Sequence, residues 1–166
     1  IPLGYGQIML APKVEARILQ ELKVTKSDKI LEVGSGSGYM TALLAEKGNH
    51  VYSVEILPEL KSLAEKNLKG YNIQNVTLEQ GDAAQGWTKH APYDVIALTG
   101  STPVLPEVFK QSLNIGGRLF AIVGEDPVME ALLITRTGLT EFTTRNLFET
   151  SITPLMNAQQ PEKFLF

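Results

Sequence analysis

The sequence predicts an α/β fold, a Rossmann-like and mostly parallel sheet that ends in an antiparallel C-terminal hairpin. Three observations predict it. Short apolar runs alternate with amphipathic segments from Pro12 to Val123, the order of a parallel sheet covered by helices on both faces. Residues 29–39, Lys-Ile-Leu-Glu-Val-Gly-Ser-Gly-Ser-Gly-Tyr, read as a buried strand leaving through a glycine-rich turn into a helix. From Met129 the alternation stops, and strand-like runs flank Thr137-Gly138 as in a hairpin.

Ile1 to Leu10 reads as an apolar loop punctuated by glycine. Pro12 suits the first turn of a helix, whose Val14, Ile18, Leu19 and Leu22 supply one buried stripe. The first strand, Ile30 to Val33, passes through Gly34, Gly36 and Gly38 into a helix from Tyr39 that ends near Lys47-Gly48. Val51 to Glu55 is the second strand. Pro58 opens a helix with Leu60, Leu63, Ala64 and Leu68 on one face, and Gly70 stops it. Val76 to Leu78 forms strand three, followed by Gly81-Asp82; Tyr93 to Leu98 forms strand four, followed by a turn-rich Thr99 to Pro103. A short helix over 106–113 leads through Gly116-Gly117 to strand five, Arg118 to Val123. Ala131 to Arg136 and Leu139 to Phe148 complete the hairpin. There is no internal repeat or linker, so residues 1–166 read as one domain.

A glycine turn between a parallel strand and a helix admits a ligand closer to the backbone than any Cβ allows. The dinucleotide fingerprint G-x-G-x-x-G requires glycine at position 39, where this chain has Tyr39; the pattern is G-x-G-x-G, with the acid Glu32 inside the strand. Pyrophosphate favours a helix N-terminus without an acid nearby. S-Adenosylmethionine carries an ammonium and a sulfonium and no phosphate, so a nearby carboxylate such as Glu32 suits it better, and a Rossmann-like fold that binds S-adenosylmethionine is the expectation. Glu55 closes strand two, where it can accept bonds from a ribose diol; Asp82 follows strand three, where it can accept from an adenine amino group beside the small Ala83. In an open parallel sheet such strand ends line one edge, so Gly34 to Gly38 with Ser35, Glu55, Asp82 and Thr99 to Thr102 are expected together.

Composition narrows the classes. A net charge of −3 without a Lys/Arg block argues against a nucleic-acid or membrane-surface binder. There is no cysteine, hence no disulfide framework and no thiolate metal site, and no metal site is expected. No apolar run reaches membrane-spanning length and no signal peptide is visible, so a cytoplasmic protein is the expectation; a monomer is expected as well. The chain opens Ile1-Pro2-Leu3 without an initiator methionine, as a fragment or a processed form does. His50 and His90 read as solvated histidines. Ser35 and Ser37 lack a histidine placed to activate them. Trp87 reads as a loop aromatic packed on the sheet edge.

Several stretches together resemble the protein-L-isoaspartate (D-aspartate) O-methyltransferase family: Gly4-Tyr5-Gly6-Gln7 with Ala11-Pro12, Leu31 to Tyr39, Tyr52 to Glu55, Gly81-Asp82 with Gly86-Trp87, Ala91 to Asp94, Gly116 to Leu119, and Pro154 to Asn157. The resemblance covers nearly the whole chain, although an N-terminal helical segment of the family is absent from it. It implies S-adenosylmethionine bound by Gly34, Ser35, Gly36 and Gly38, by Glu55 and Ile56, and by Asp82 and Ala83, with Gln7, Ile8, Met9 and Leu10 closing over the methyl donor. It implies methylation of the abnormal carboxylate of isoaspartyl residues in damaged proteins, a protein or peptide partner, and S-adenosylhomocysteine as product. One departure stands out: the family's Thr-Ile-Ser after Gly-Gln is here Ile8, Met9 and Leu10, and Gly100-Ser101-Thr102 replaces an alanine-rich segment. That departure keeps two other readings open, a cofactor-binding homologue with lost or altered acceptor specificity and, less favoured because of Tyr39, a nicotinamide oxidoreductase.

Overall fold

The computed structural model describes residues 1–164. Two short strands, β1 (Pro2–Gly4) and β2 (Gln7–Ile8), pair antiparallel before helix α1 (Pro12–Leu22). Then follow β3 (Lys29–Val33), α2 (Tyr39–Lys47), β4 (His50–Glu55), α3 (Pro58–Gly70), β5 (Val76–Gln80), β6 (Tyr93–Thr102), α4 (Glu107–Gln111), β7 (Leu113–Glu125), β8 (Val128–Arg136) and β9 (Phe142–Thr150). Strands β3 to β9 form one seven-stranded sheet in the order β5-β4-β3-β6-β7-β8-β9. Pairing is parallel from β5 through β7 and antiparallel between β7 and β8 and between β8 and β9.

The strand order turns at β3, which lies between β4 and β6. Side chains alternate across this strand, and that alternation divides the core. Ile30 faces α1 and α2 with Ile18, Leu22, Met40 and Leu44, while Leu31 and Val33 face the other side with Phe109, Leu119 and Ile134. Burying each of the larger aliphatic side chains stabilises the fold by about 1.5–3 kcal/mol. Arg118 at the base of β7 donates to the Leu22 and Lys23 carbonyls at 2.9 and 3.1 Å and to Asp28 at 2.7 Å, which satisfies carbonyls that the end of α1 leaves free.

Four sequence expectations change. The segment 1–10 is a small hairpin, held by the Met9 N–H donating to the Ile1 carbonyl at 2.8 Å. The stretch Thr99 to Thr102 continues β6: a register shift against β7 between Ala97 and Ser101 absorbs the extra residues that read as a turn. A second shift, between Tyr93 and Val95, takes Gly116-Gly117 into β7, so that strand begins at Leu113. The buried stripe of α1 runs through Glu15, Ile18 and Leu22, with Val14 and Leu19 only partly covered. A glutamate on the buried face is a strong local signal, because burying an unpaired carboxylate is costly.

Candidate functional site

The carboxyl ends of β3, β4, β5 and β6 open on one cleft of about 850 Å³, open mouth included. Gly34 and Gly36 form one wall, Glu55 and Ile56 the next, Asp82 and Ala83 the third, and Thr99 the fourth. The hairpin contributes Leu3, Gln7, Ile8 and Leu10; the C-terminal segment adds Thr153, Leu155 and Met156. Parallel strands with crossover helices bring residues 34, 55, 82 and 99 together although 65 positions separate the first from the last.

Glu55 organises the glycine turn. It is 5% exposed; its Oε2 accepts from the Gly36 N–H at 3.0 Å and its Oε1 from the Leu57 N–H at 3.2 Å. A carboxylate has about four acceptor positions, so this one keeps capacity for hydroxyl donors in the cleft. Asp82 is exposed at the far side, where Oδ1 accepts from the Ala84 N–H at 3.0 Å and Oδ2 from Asn157 Nδ2 at 2.8 Å. Its role therefore combines turn closure with a free edge toward the cleft.

The glycines divide their work differently from the sequence expectation. Gly34 (φ +97°) is required by the protein itself: a Cβ there lies 2.3 Å from Thr99 Oγ1. That hydroxyl sits 2.8 Å from the carbonyls of both Val33 and Gly34 and bridges β6 to the turn. Gly38 packs against Ala64 of α3 and lines neither the cleft nor the small chamber beside it, whereas at Gly36 a Cβ meets Leu3. Thr99 thus shapes the turn as well as lining the cleft.

Glu32 lies behind the turn and does not line the cleft. It is fully buried; Oε1 accepts from Thr41 and, at 2.6 Å, from Ser53, while Oε2 has no partner. Burial pushes its pKa up to about 8, and the charges of Glu15 and Glu55 add to the rise. Ser35 extends the same network, 2.6 Å from Ser53 Oγ. Burial likewise pushes Glu15 up to about 7, and its Oε2 is also unpartnered. Glu15, Met9, Ser35 and Ser37 line a small chamber that shares Leu3, Ile8, Leu10, Gly34, Gly36 and Thr99 with the cleft.

These two acids make stability pH-dependent. Their folded pKa values exceed the unfolded value near 4.5, so the folded state binds more protons, and its stabilisation is complete below about pH 4.5 and lost as pH rises through 7 and 8. His50, whose pKa is lowered by burial and by the charge of His90, acts in the opposite sense only below 6.5. Ligand-free protein is expected to lose on the order of 1 kcal/mol per unit between pH 6.5 and 8.5, or about 2–4 °C in Tm per unit. Thermal melts across that range check it, and Glu32→Gln should flatten the slope.

Both histidines are half-buried and hydrogen-bonded, not simply solvated. His90 stacks on Tyr52 with centroids 3.9 Å apart, His50 lies 4.8 Å from the same ring, and their Nε2 atoms reach Glu79 at 2.6 Å and Thr77 at 2.8 Å. Trp87 packs on this sheet edge as expected, over Gly81, and donates to Glu79 at 3.3 Å. Burial alone would raise Glu79; bonds from Lys89, His90 and Trp87 outweigh it and hold the carboxyl below its ordinary value. Pairing of β4 with β5 creates this cluster, so residue spacing could not reveal it. Among the described residues no group of three or more His, Cys, Asp or Glu is placed to hold a metal, and no helix is long and apolar enough to cross a membrane.

Residues 1–160 match the family model described as Protein-L-isoaspartate(D-aspartate) O-methyltransferase (PCMT). A protein-L-isoaspartate O-methyltransferase of Synechococcus sp. is 42% identical over 127 residues, covering 76% of this chain and 52% of that protein. One from Gloeobacter violaceus is 37% identical over 165 residues, covering 98% of this chain and 79% of its own length. The chain therefore spans about half of the first relative and more of the second. A Plasmodium falciparum protein solved with S-adenosyl-L-homocysteine has the same fold: TM-score 0.80 at 23% identity, over 93% of this chain and 78% of that one.

Proposed function

We infer that this chain, which belongs to the protein-L-isoaspartate(D-aspartate) O-methyltransferase family, transfers a methyl group from S-adenosylmethionine to the carboxylate of isoaspartyl residues in damaged proteins or peptides. The observation that carries the reading is the convergence of the glycine turn, Glu55 and Asp82 on one cleft in a chain that the family model matches over residues 1–160. The donor set fits the cofactor. Glu55 offers acceptors for a ribose diol, Asp82 offers one for an adenine amino group, and the unpartnered oxygen of Glu15 in the adjoining chamber suits an ammonium. A single-domain monomer that needs no nucleic-acid partner completes the reading.

The cofactor supplies an electrophilic methyl on a sulfonium; the chain positions it and keeps water away. An acceptor carboxylate with an ordinary pKa near ~4 is already ionised at neutral pH and needs no general base. Opposite charges meet in the reaction, so alignment and exclusion of water carry the rate. Leu3, Ile8, Leu10 and Leu155 give the cleft the apolar walls this requires.

The test is methyl transfer to an isoaspartyl peptide, with the aspartyl isomer as control. Turnover on the isoaspartyl form alone is expected, and none on either form would overturn the reading. Ile8 is 58% exposed and lines the cleft, so Ile8→Thr should add an orienting donor at little structural cost and raise kcat by roughly tenfold. Leu10 is different. It is 9% exposed and belongs to the core, so Leu10→Ser is expected to cost about 2–4 kcal/mol and cannot simply restore the family's hydroxyl.

A further inference from the structure

The small chamber beside the glycine turn contains an unexplained charge. Glu15 is 3% exposed, its Oε2 is buried without a hydrogen-bond partner, and it lines the chamber. Its place in the first turn of α1 suits the helix dipole, which accounts for an acid there but not for its burial. Glu32 brings a second buried oxygen without a partner, and the two carboxyls are close enough for the charge on one to be felt by the other. No Lys, Arg or His lines the chamber. The remaining polar lining is Ser35, Ser37, Tyr39 and Thr99 with backbone of the turn. An unsatisfied carboxylate oxygen in the wall of a cavity without a cation, with a second buried carboxyl behind it, calls for a compact ligand that carries both positive charge and several donors, and a primary ammonium has three.

We propose that Glu15 is a specificity-determining residue of the cofactor site, whose carboxylate receives the α-ammonium of the cofactor's amino-acid arm in the chamber walled by Met9, Ser35, Ser37 and Tyr39. The inference rests on the methyltransferase reading above and deepens it. The chamber and the cleft share Gly34, Gly36 and Thr99 in their walls and so lie side by side, and a ligand that spans both places a nucleoside against Glu55 and Asp82 and its arm against Glu15. Glu15 then discriminates by charge: it favours arms bearing an ammonium and opposes arms bearing only a carboxylate.

Three ligands test this by calorimetry on the parent and on Glu15→Gln at pH 7.5. S-Adenosylhomocysteine has the full arm, 5′-methylthioadenosine lacks it, and des-amino-S-adenosylhomocysteine keeps the carboxylate without the ammonium. In Glu15→Gln, Kd for S-adenosylhomocysteine should rise tenfold or more, Kd for 5′-methylthioadenosine should stay within twofold, and the des-amino analogue should bind more tightly than to the parent. Glu15→Asp should recover part of the loss. The ligand-free Glu15→Gln protein should melt at or above the parent's temperature, since a buried charge has been removed; a purely structural glutamate would lower it. Equal weakening of all three ligands, or no change for S-adenosylhomocysteine, would overturn the proposal. A parent that binds none of the three would instead defeat the cofactor reading on which it rests.

Discussion

Gly34→Ala is expected to destabilise the protein by about 3–5 kcal/mol and to abolish cofactor binding with it. Two costs combine. The backbone at φ +97° is one that a side-chain-bearing residue adopts only under strain, and the new Cβ lies 2.3 Å from Thr99 Oγ1. Thr99 cannot simply turn away, because its hydroxyl bridges to the Val33 and Gly34 carbonyls at the point where the strand order turns. Against a total stability of roughly 5–15 kcal/mol, such a loss is large. Thr99→Ala removes the clash but not the backbone strain, so the double variant should lose at least about 1 kcal/mol less than the sum of the singles. Urea unfolding of the four proteins measures this. Strict additivity would show that the two residues do not compete for the same space.

Glu55→Ala is expected to weaken S-adenosylhomocysteine by about 1.5–3 kcal/mol, which is roughly 10- to 150-fold in Kd. The carboxylate is buried at the floor of the cleft and is the acceptor for the Gly36 and Leu57 N–H groups. On the proposed cofactor placement its loss removes a charge-assisted partner for ribose hydroxyls, and it releases the turn held through Gly36 and Leu57. The second effect should appear without ligand as a stability loss of about 1–2 kcal/mol, because two part-buried N–H groups lose their partner. Calorimetry and ligand-free melts separate the two contributions. Unchanged affinity in a folded variant would remove Glu55 from the site.

Much of the fold was legible because its signals are local. The periodicity of residues 12–22 and 58–70, the proline that opens each helix and the short apolar run of β3 depend on neighbours a few positions away. Strand ends were less legible. The register shifts in β6 and β7 depend on what each residue opposes on its partner, so Thr99 to Thr102 and Gly116-Gly117 looked like turns. The site was legible to the extent that topology dictates it: acids that end consecutive parallel strands must share an edge, and Glu55 and Asp82 do.

The sequence by itself determined the parallel sheet with its antiparallel end, the glycine turn, and the position of the cleft along the strands' carboxyl edge. Only the tertiary structure decided what each charged or polar residue does there. It placed Glu32 behind the turn, brought Glu15 into the chamber wall, made Thr99 the reason for Gly34, and stacked His90 on Tyr52 with His50 tilted against the same ring. The physical reason is range. Secondary structure follows from contacts within a turn or a strand, whereas desolvation and hydrogen-bond satisfaction are set by neighbours such as Ser53 and Glu32, 21 positions apart, or Thr99 and Gly34, 65 apart.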